Sequence, residues 1–306
     1  MSTPPFVDLP DRARRVRLAT SAGPLAGVRL EPEGPSRGTV LLVPGFTGSK
    51  EDFIAVLEPL AGLGWTVVSY DQRGQYETPG PQDESAYTLA ALSRDLLDVL
   101  DDLADDVHVI GHSFGGLVCR EAALASGGQG FASLTLLCSG PGPLPQRHHD
   151  GLGAMRSALP HVPLDTVWEV KEAADREGGW TPPGAEVHTF LRTRFVSNSP
   201  WGLRAKAGIL MDTPDRTGEL AALARAGLPV AVVYGPDDDA WTTAEQDAVA
   251  AELGVAPVVI PGTGHSPAAE RPAETAAALD SLLRLLEADD TVGRLGDAGV
   301  GSAVTG

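Results

Sequence analysis

The chain has 306 residues, 42% hydrophobic and 21% charged, an ordinary globular composition with length enough for a large buried core. Asp and Glu number 41 against 23 Lys and Arg, a formal net charge of −18, and such a surface repels phosphate backbones and anionic headgroups, which argues against nucleic acid and membrane partners. Two cysteines, Cys119 and Cys138, are too few for a disulfide framework and read as small buried hydrophobes; with no basic-then-apolar leader and no membrane-length apolar run, the expectation is a cytoplasmic protein.

In chain order, segments around Arg14–Leu18 and Ala26–Leu30 read as an N-terminal hairpin turning at Ser21-Ala22-Gly23-Pro24. Short apolar runs then alternate with amphipathic segments, the pattern of a mostly parallel sheet covered by helices. The predicted strands are Thr39–Val43, Thr66–Tyr70, Val107–Ile110, Ser133–Cys138, Pro229–Tyr234 and Pro257–Ile260. The predicted helices cover Glu51–Leu63, Leu89–Ala104, Gly115–Ala125, Thr243–Leu253 and Ala273–Glu287. Between Cys138 and Pro229 the alternation breaks. That stretch carries Trp168, Trp180, Trp201, Phe190 and Phe195 among many prolines, far more chain than the dozen or so residues of an ordinary crossover. It reads as a helical cap, 141–227, inserted into a core of 1–140 and 228–287. The cap begins at a strand end, on the side where such sheets bind ligands. Residues 288–306, rich in Gly, Asp and Ala, are expected to be disordered.

Gly111-His112-Ser113-Phe114-Gly115 follows one predicted strand and opens a predicted helix. Small residues on either side of the serine let the backbone turn sharply, which pushes the hydroxyl out as a nucleophile candidate. A serine needs a base, and His265, in Gly264-His265-Ser266 just past another strand, is so placed. His108 alternates with apolar residues and reads as structural; His112 turns with the elbow and reads as support for the site. The His148-His149 pair lacks further ligands, so no metal is expected. The imidazole needs a carboxylate to hold its tautomer, and Asp237-Asp238-Asp239 after the strand Pro229–Tyr234 offers three by spacing alone. Two backbone N–H groups must receive the oxyanion. Phe114, after the serine, is one; Phe46, in the loop Pro44-Gly45-Phe46-Thr47-Gly48, is the other.

The order Ser113, Asp, His265, with each group at a strand end, resembles the α/β-hydrolase superfamily over residues 25–287. Pro-Gly-Phe-Thr-Gly at 44–48 is similar to the family's His-Gly oxyanion loop, with Pro44 in place of His. Asp71-Gln72-Arg73-Gly74 resembles its Asp-x-Arg-Gly turn, followed here by Gln75-Tyr76-Glu77-Thr78 rather than the usual small-residue run. Gly235-Pro236-Asp237-Asp238 is similar to the family's Gly-x-x-Asp, which implies Asp238 as the acid. The resemblance implies an eight-stranded, mostly parallel α/β-hydrolase sheet with a helical cap, and a cofactor-free carboxylesterase-like enzyme of the serine branch. It would act on a small-molecule ester or acyl substrate as a monomer or homodimer. A serine at the elbow argues against dehalogenases and epoxide hydrolases, which use aspartate there. Cofactor-free haloperoxidases and perhydrolases, aminopeptidases and C–C hydrolases share the triad, and a non-catalytic small-molecule receptor shares the fold. Trp168 and Trp201 of the cap, with His112, are candidate substrate contacts.

Overall fold

Aliphatic runs of four to six residues pair into a single sheet because each can bury both faces only beneath helices. The computed structural model describes residues 2–103, 106–181 and 183–298, with side chains as far as Glu287. The strands are β1 (Arg14–Leu18), β2 (Leu25–Leu30), β3 (Thr39–Val43), β4 (Thr66–Tyr70), β5 (Val107–His112), β6 (Phe131–Leu137), β7 (Val230–Tyr234) and β8 (Val258–Val259). They lie in the order β1-β2-β4-β3-β5-β6-β7-β8. β1–β2 and β2–β4 pair antiparallel, and every other pair is parallel. This is the eight-stranded, mostly parallel sheet that the resemblance implies. β3, β4, β5 and β7 are buried at every position, as expected of parallel strands covered on both sides.

The helices are α1 (Ile54–Gly62), α2 (Leu89–Leu103), α3 (Phe114–Ser126), α4 (His149–Ala158), α5 (Leu164–Glu177), α6 (Ala185–Val196), α7 (Pro200–Asp212), α8 (Thr217–Arg225), α9 (Thr243–Leu253), α10 (Pro267–Glu270) and α11 (Pro272–Ala298). The predicted helix Glu51–Leu63 begins as a 3-10 turn over Lys50–Phe53 before α1 takes over. α9 matches its prediction to the residue, because Thr242 and Glu245 form a reciprocal capping box and Gly254 ends the helix in the left-handed region. Edge strand β8 is only two residues long, shorter than Pro257–Ile260, since a single neighbour, β7, pairs with it. The stretch from 288, read as disordered, is instead helical to Ala298; a helix already nucleated on the core propagates one hydrogen bond per residue. Residues 299–306 lie outside the described residues.

Two apolar clusters organise the molecule. The larger joins the sheet to its flanking helices. The smaller lies within the segment between β6 and β7, where Leu159, Val167, Trp168, Val187, Leu191, Phe195 and Leu203 of α5, α6, α7 and the α4–α5 connection pack together. α8 falls inside 141–227 but packs by Leu220 and Ala221 into the larger cluster. Among the described residues no helix is long and apolar enough to cross a membrane.

Candidate active site at the strand ends

β5 runs straight into Ser113, whose φ of 55° and ψ of −122° lie outside the ordinary regions for a non-glycine residue. Such strain persists only where the surroundings over-determine it. Here Ser113 N–H donates to the Leu137 carbonyl at 3.0 Å and Gly116 N–H to the Ser113 carbonyl at 2.9 Å. A Cβ at Gly111 would lie 2.6 Å from the Gly116 Cα, and one at Gly115 would lie 2.4 Å from the Val43 carbonyl oxygen. The turn therefore requires glycine at both positions.

The loop after β7 places Asp238 beneath the loop after β8 that carries His265. The Asp238 carboxylate is buried and accepts three hydrogen bonds: from His265 Nδ1 at 2.8 Å, from Ala240 N at 2.9 Å and from Gln246 Nε2 at 3.0 Å. Burial alone would raise this carboxyl, but the bond from His265, joined by those from Ala240 and Gln246, holds it below the usual carboxylate range. An ionised carboxylate only accepts, so the His265 proton sits on Nδ1 and the Nε2 lone pair is free. Asp237 and Asp239 are exposed on the same turn. Glu270 braces the histidine loop by accepting from Gly264 N at 2.6 Å and Ser266 N at 2.8 Å.

Ser113 and His265 line one cavity of about 140 Å³, together with Phe46, His112, Leu144 and Leu210. No direct hydrogen bond joins the hydroxyl to the ring in this conformation; such contacts commonly tighten only around a bound substrate. His112 donates from Nε2 to the His265 carbonyl at 2.6 Å. Burial, reinforced by the neighbouring His265, pushes its pKa down to about 3, so it is a neutral strut rather than a base. Cys138, also in the left-handed region at φ 48°, places its sulfur with Asp238 and His265 so that their ligand atoms lie within 4.8 Å of one another. Asp238 and His265 already satisfy each other there, and burial raises the thiol well above its usual range. The trio is therefore a packed interior and a poor metal centre.

The loop after β3 is held by two glutamines. Gln72 Nε2 donates to the Pro44 carbonyl at 2.7 Å and Gln75 Nε2 to the Gly45 carbonyl at 2.8 Å, while Gln75 Oε1 accepts from Gln72 N at 2.9 Å. Among the described residues, neither Phe46 N–H nor Phe114 N–H makes a backbone hydrogen bond. Behind this loop the buried Lys50 ammonium meets Asp71 at 3.0 Å and Glu51 and Glu77 at 2.9 Å. Burial pulls the ammonium down, yet these carboxylates raise it well above its usual value. Sequence reasoning missed the roles of Gln72, Gln75, Gln246 and Glu270; the polar run after Asp71, where the resemblance leads one to expect small residues, was the available signal.

The tryptophans are placed elsewhere. Trp168 on α5 is 2% exposed and packs against Phe195 with ring centroids 5.6 Å apart and planes tilted by 50°, inside the smaller cluster. Trp201 on the first turn of α7 is half-buried. Neither lines the cavity at Ser113, whose insert-side wall is Leu144 and Leu210. His108 bonds Ser133 at 2.8 Å as a buried strut. His148 and His149 each bond a backbone carbonyl, those of Asp239 and Leu144.

A crossover sheet with a strained serine at one strand end and a bonded histidine–aspartate pair at two others defines an α/β hydrolase. The model of the alpha/beta hydrolase family matches residues 40–278, and the chain belongs to that family. Over 96 residues it is 38% identical to a Variovorax paradoxus (strain S110) protein that carries the name carbamate hydrolase RutD, covering 31% of this chain and 36% of that protein. Over 230 residues it is 27% identical to epoxide hydrolase B of Mycobacterium tuberculosis (strain ATCC 25618 / H37Rv), covering 70% and 64%. The chain thus spans less than two thirds of the length of these relatives. A thermophilic esterase from Thermogutta terrifontis superposes with a TM-score of 0.71 over 90% of this chain and 99% of its own at 24% identity, a likeness of fold.

Proposed function

We propose that the protein hydrolyses small-molecule carboxylic esters through a Ser113–His265–Asp238 triad. The observation that carries this reading is the His265 Nδ1–Asp238 bond, which leaves Nε2 as a base in the same cavity as the Ser113 hydroxyl. Ser113 Oγ attacks the ester carbonyl as His265 Nε2 takes its proton, and Asp238 stabilises the imidazolium. Phe46 and Phe114 N–H groups receive the oxyanion, worth about 10²–10³ in turnover for one such donor. His265 returns the proton to the leaving alcohol, then activates a water that releases the acid from the acyl-enzyme. The serine at the elbow favours this over epoxide opening. The segment 141–227 acts as a cap whose Leu144 and Leu210 wall the cavity at Ser113. In this reading the enzyme works in the cytoplasm without a cofactor, as a monomer or homodimer.

The likeness to the carbamate-hydrolase-named relative supports a second substrate class, since a carbamate carbonyl suits the same attack and oxyanion donors. Turnover of p-nitrophenyl acetate and butyrate, labelling of Ser113 by a fluorophosphonate, and loss of both in Ser113→Ala are the expected results. Undiminished hydrolysis by Ser113→Ala overturns the assignment. A folded protein that neither labels nor turns over any ester or carbamate favours a receptor.

A further inference from the structure

The cavity at Ser113 has a wall that neither the sheet nor the insert supplies. Ser2 is 7% exposed and lines that cavity with Ser113 and His265. Its hydroxyl meets that of Ser266, the residue after His265, at 2.8 Å. Its carbonyl accepts from Arg194 Nη2 on α6 at 2.8 Å. Arg194 is fully buried and pairs with Asp52, another lining residue of the cavity. The segment is thus stapled on one side to the histidine loop and on the other to the insert. Thr3, the next residue, lines a second cavity of about 300 Å³ with Trp180 and Asp175 of the insert. Pro4 is buried, and Val7 packs on the insert's apolar cluster.

We propose that Ser2–Pro4 is a partition that sets the acyl-length limit of the site. This rests on the reading of Ser113 as an acylated nucleophile. On one side of the partition about 140 Å³ is open to the acyl group, the share of about five waters in the liquid, which suits a chain of a few carbons. On the other side lies the 300 Å³ space lined by Thr3, Asp175 and Trp180, which a longer chain reaches from Ser113 once the segment is absent or displaced. Arg194, held by Asp52 and the Ser2 carbonyl, fixes the partition without touching the reacting atoms.

The test compares kcat/KM for p-nitrophenyl acetate, butyrate and octanoate in the full chain, in a variant lacking residues 2–5, and in Ser2→Leu. One methylene in an apolar pocket discriminates about ten- to two-hundred-fold, so the truncation is expected to raise the octanoate-to-acetate ratio about ten-fold or more. Ser2→Leu, which adds volume to the short pocket, is expected to lower the butyrate-to-acetate ratio several-fold. If the truncated chain does not fold, Ser2→Leu alone decides. Ratios that stay within about two-fold of the full chain overturn the partition, being below what one methylene commands. Fluorophosphonate labelling of the full chain separates the two ideas. An unlabelled Ser113 without turnover overturns both, while a labelled Ser113 with unchanged ratios overturns the partition alone.

Discussion

The sheet-end loops and the insert place side chains around the same cavity by opposite means. On the sheet side, position follows from backbone. Ser113, Asp238 and His265 stand at the ends of β5, β7 and β8, and Gly115 admits the β3 backbone to within a distance no side chain tolerates. On the insert side, Leu152, Leu210 and Leu220 join the sheet's apolar cluster, and polar contacts between distant loops add to that packing. Arg147 Nη2 and His148 Nε2 donate to the Asp239 carbonyl at 2.9 Å, Lys206 Nζ donates to the Arg73 carbonyl at 3.2 Å, and Arg194 pairs with Asp52. A strand end offers one backbone geometry, fixed by its ladder neighbours. The insert adds a second, smaller apolar cluster of its own, and buried pairs such as Arg194–Asp52 tie it to the core across loops that no ladder aligns.

That contrast can be broken from either side. The largest effect is expected from Asp238→Asn. Its amide would present a donor to His265 Nδ1 and reverse the tautomer, which in a comparable triad costs about 10⁴ in turnover; steady-state kinetics on p-nitrophenyl acetate read it, and the melting temperature should move little by comparison. Next comes Arg194→Met on the insert side, which strands the buried Asp52 carboxylate. Burial already raises that carboxyl despite the pull of Arg194, and breaking such a pair costs about 3–5 kcal/mol. Urea denaturation measures it, and Asp52→Asn in the same chain should restore part of the loss.

Lys206→Met is expected to act through pH. Lys206 is buried against the Phe114 ring, 6.0 Å from its centroid, and burial pushes its pKa down to about 7 from the ordinary 10.5. Between those values the unfolded chain holds a proton the folded chain has shed, so this group makes stability rise as pH climbs from about 7 to about 10.5. The Met variant should lose that part of the slope in denaturation curves taken across the window, and an unaltered slope would place the ammonium in a better-solvated state. The smallest effect is expected from Asp237→Asn or Asp239→Asn. Both residues are exposed, and surface changes of this kind stay within about 0.5 kcal/mol; a large loss of activity in either would contradict the choice of Asp238.

Particular residues show how far the sequence could be read. The ranges of β1, β3, β4 and α9 agree with the sequence reading because their signals are local: aliphatic runs between turn residues, a Thr–Glu capping box, a terminal glycine. Gly111 and Gly115 announced the elbow for a similar reason, since the crowding of the turn is written in the residues that make it. Among three adjacent aspartates, by contrast, only burial and the bond to His265 single out Asp238, which a resemblance could suggest and spacing could not. Trp168 reads as a pocket residue by type and is instead a buried member of the insert's own apolar cluster.

Chain order and hydrophobic period were enough to determine the class of fold, most of the strands and the loops that carry Ser113, Asp238 and His265, because strand runs and tight turns depend on residues a few positions apart. Tertiary structure alone decided which polar groups close the cavity. The contacts of Ser2 with Ser266, of Arg194 with Asp52 and of Gln75 with Gly45 join residues 264, 142 and 30 positions apart. No periodicity links such pairs. They meet because the sheet brings its loops to one edge and the insert folds back across them, and burial then leaves each polar group no partner but the one it finds there.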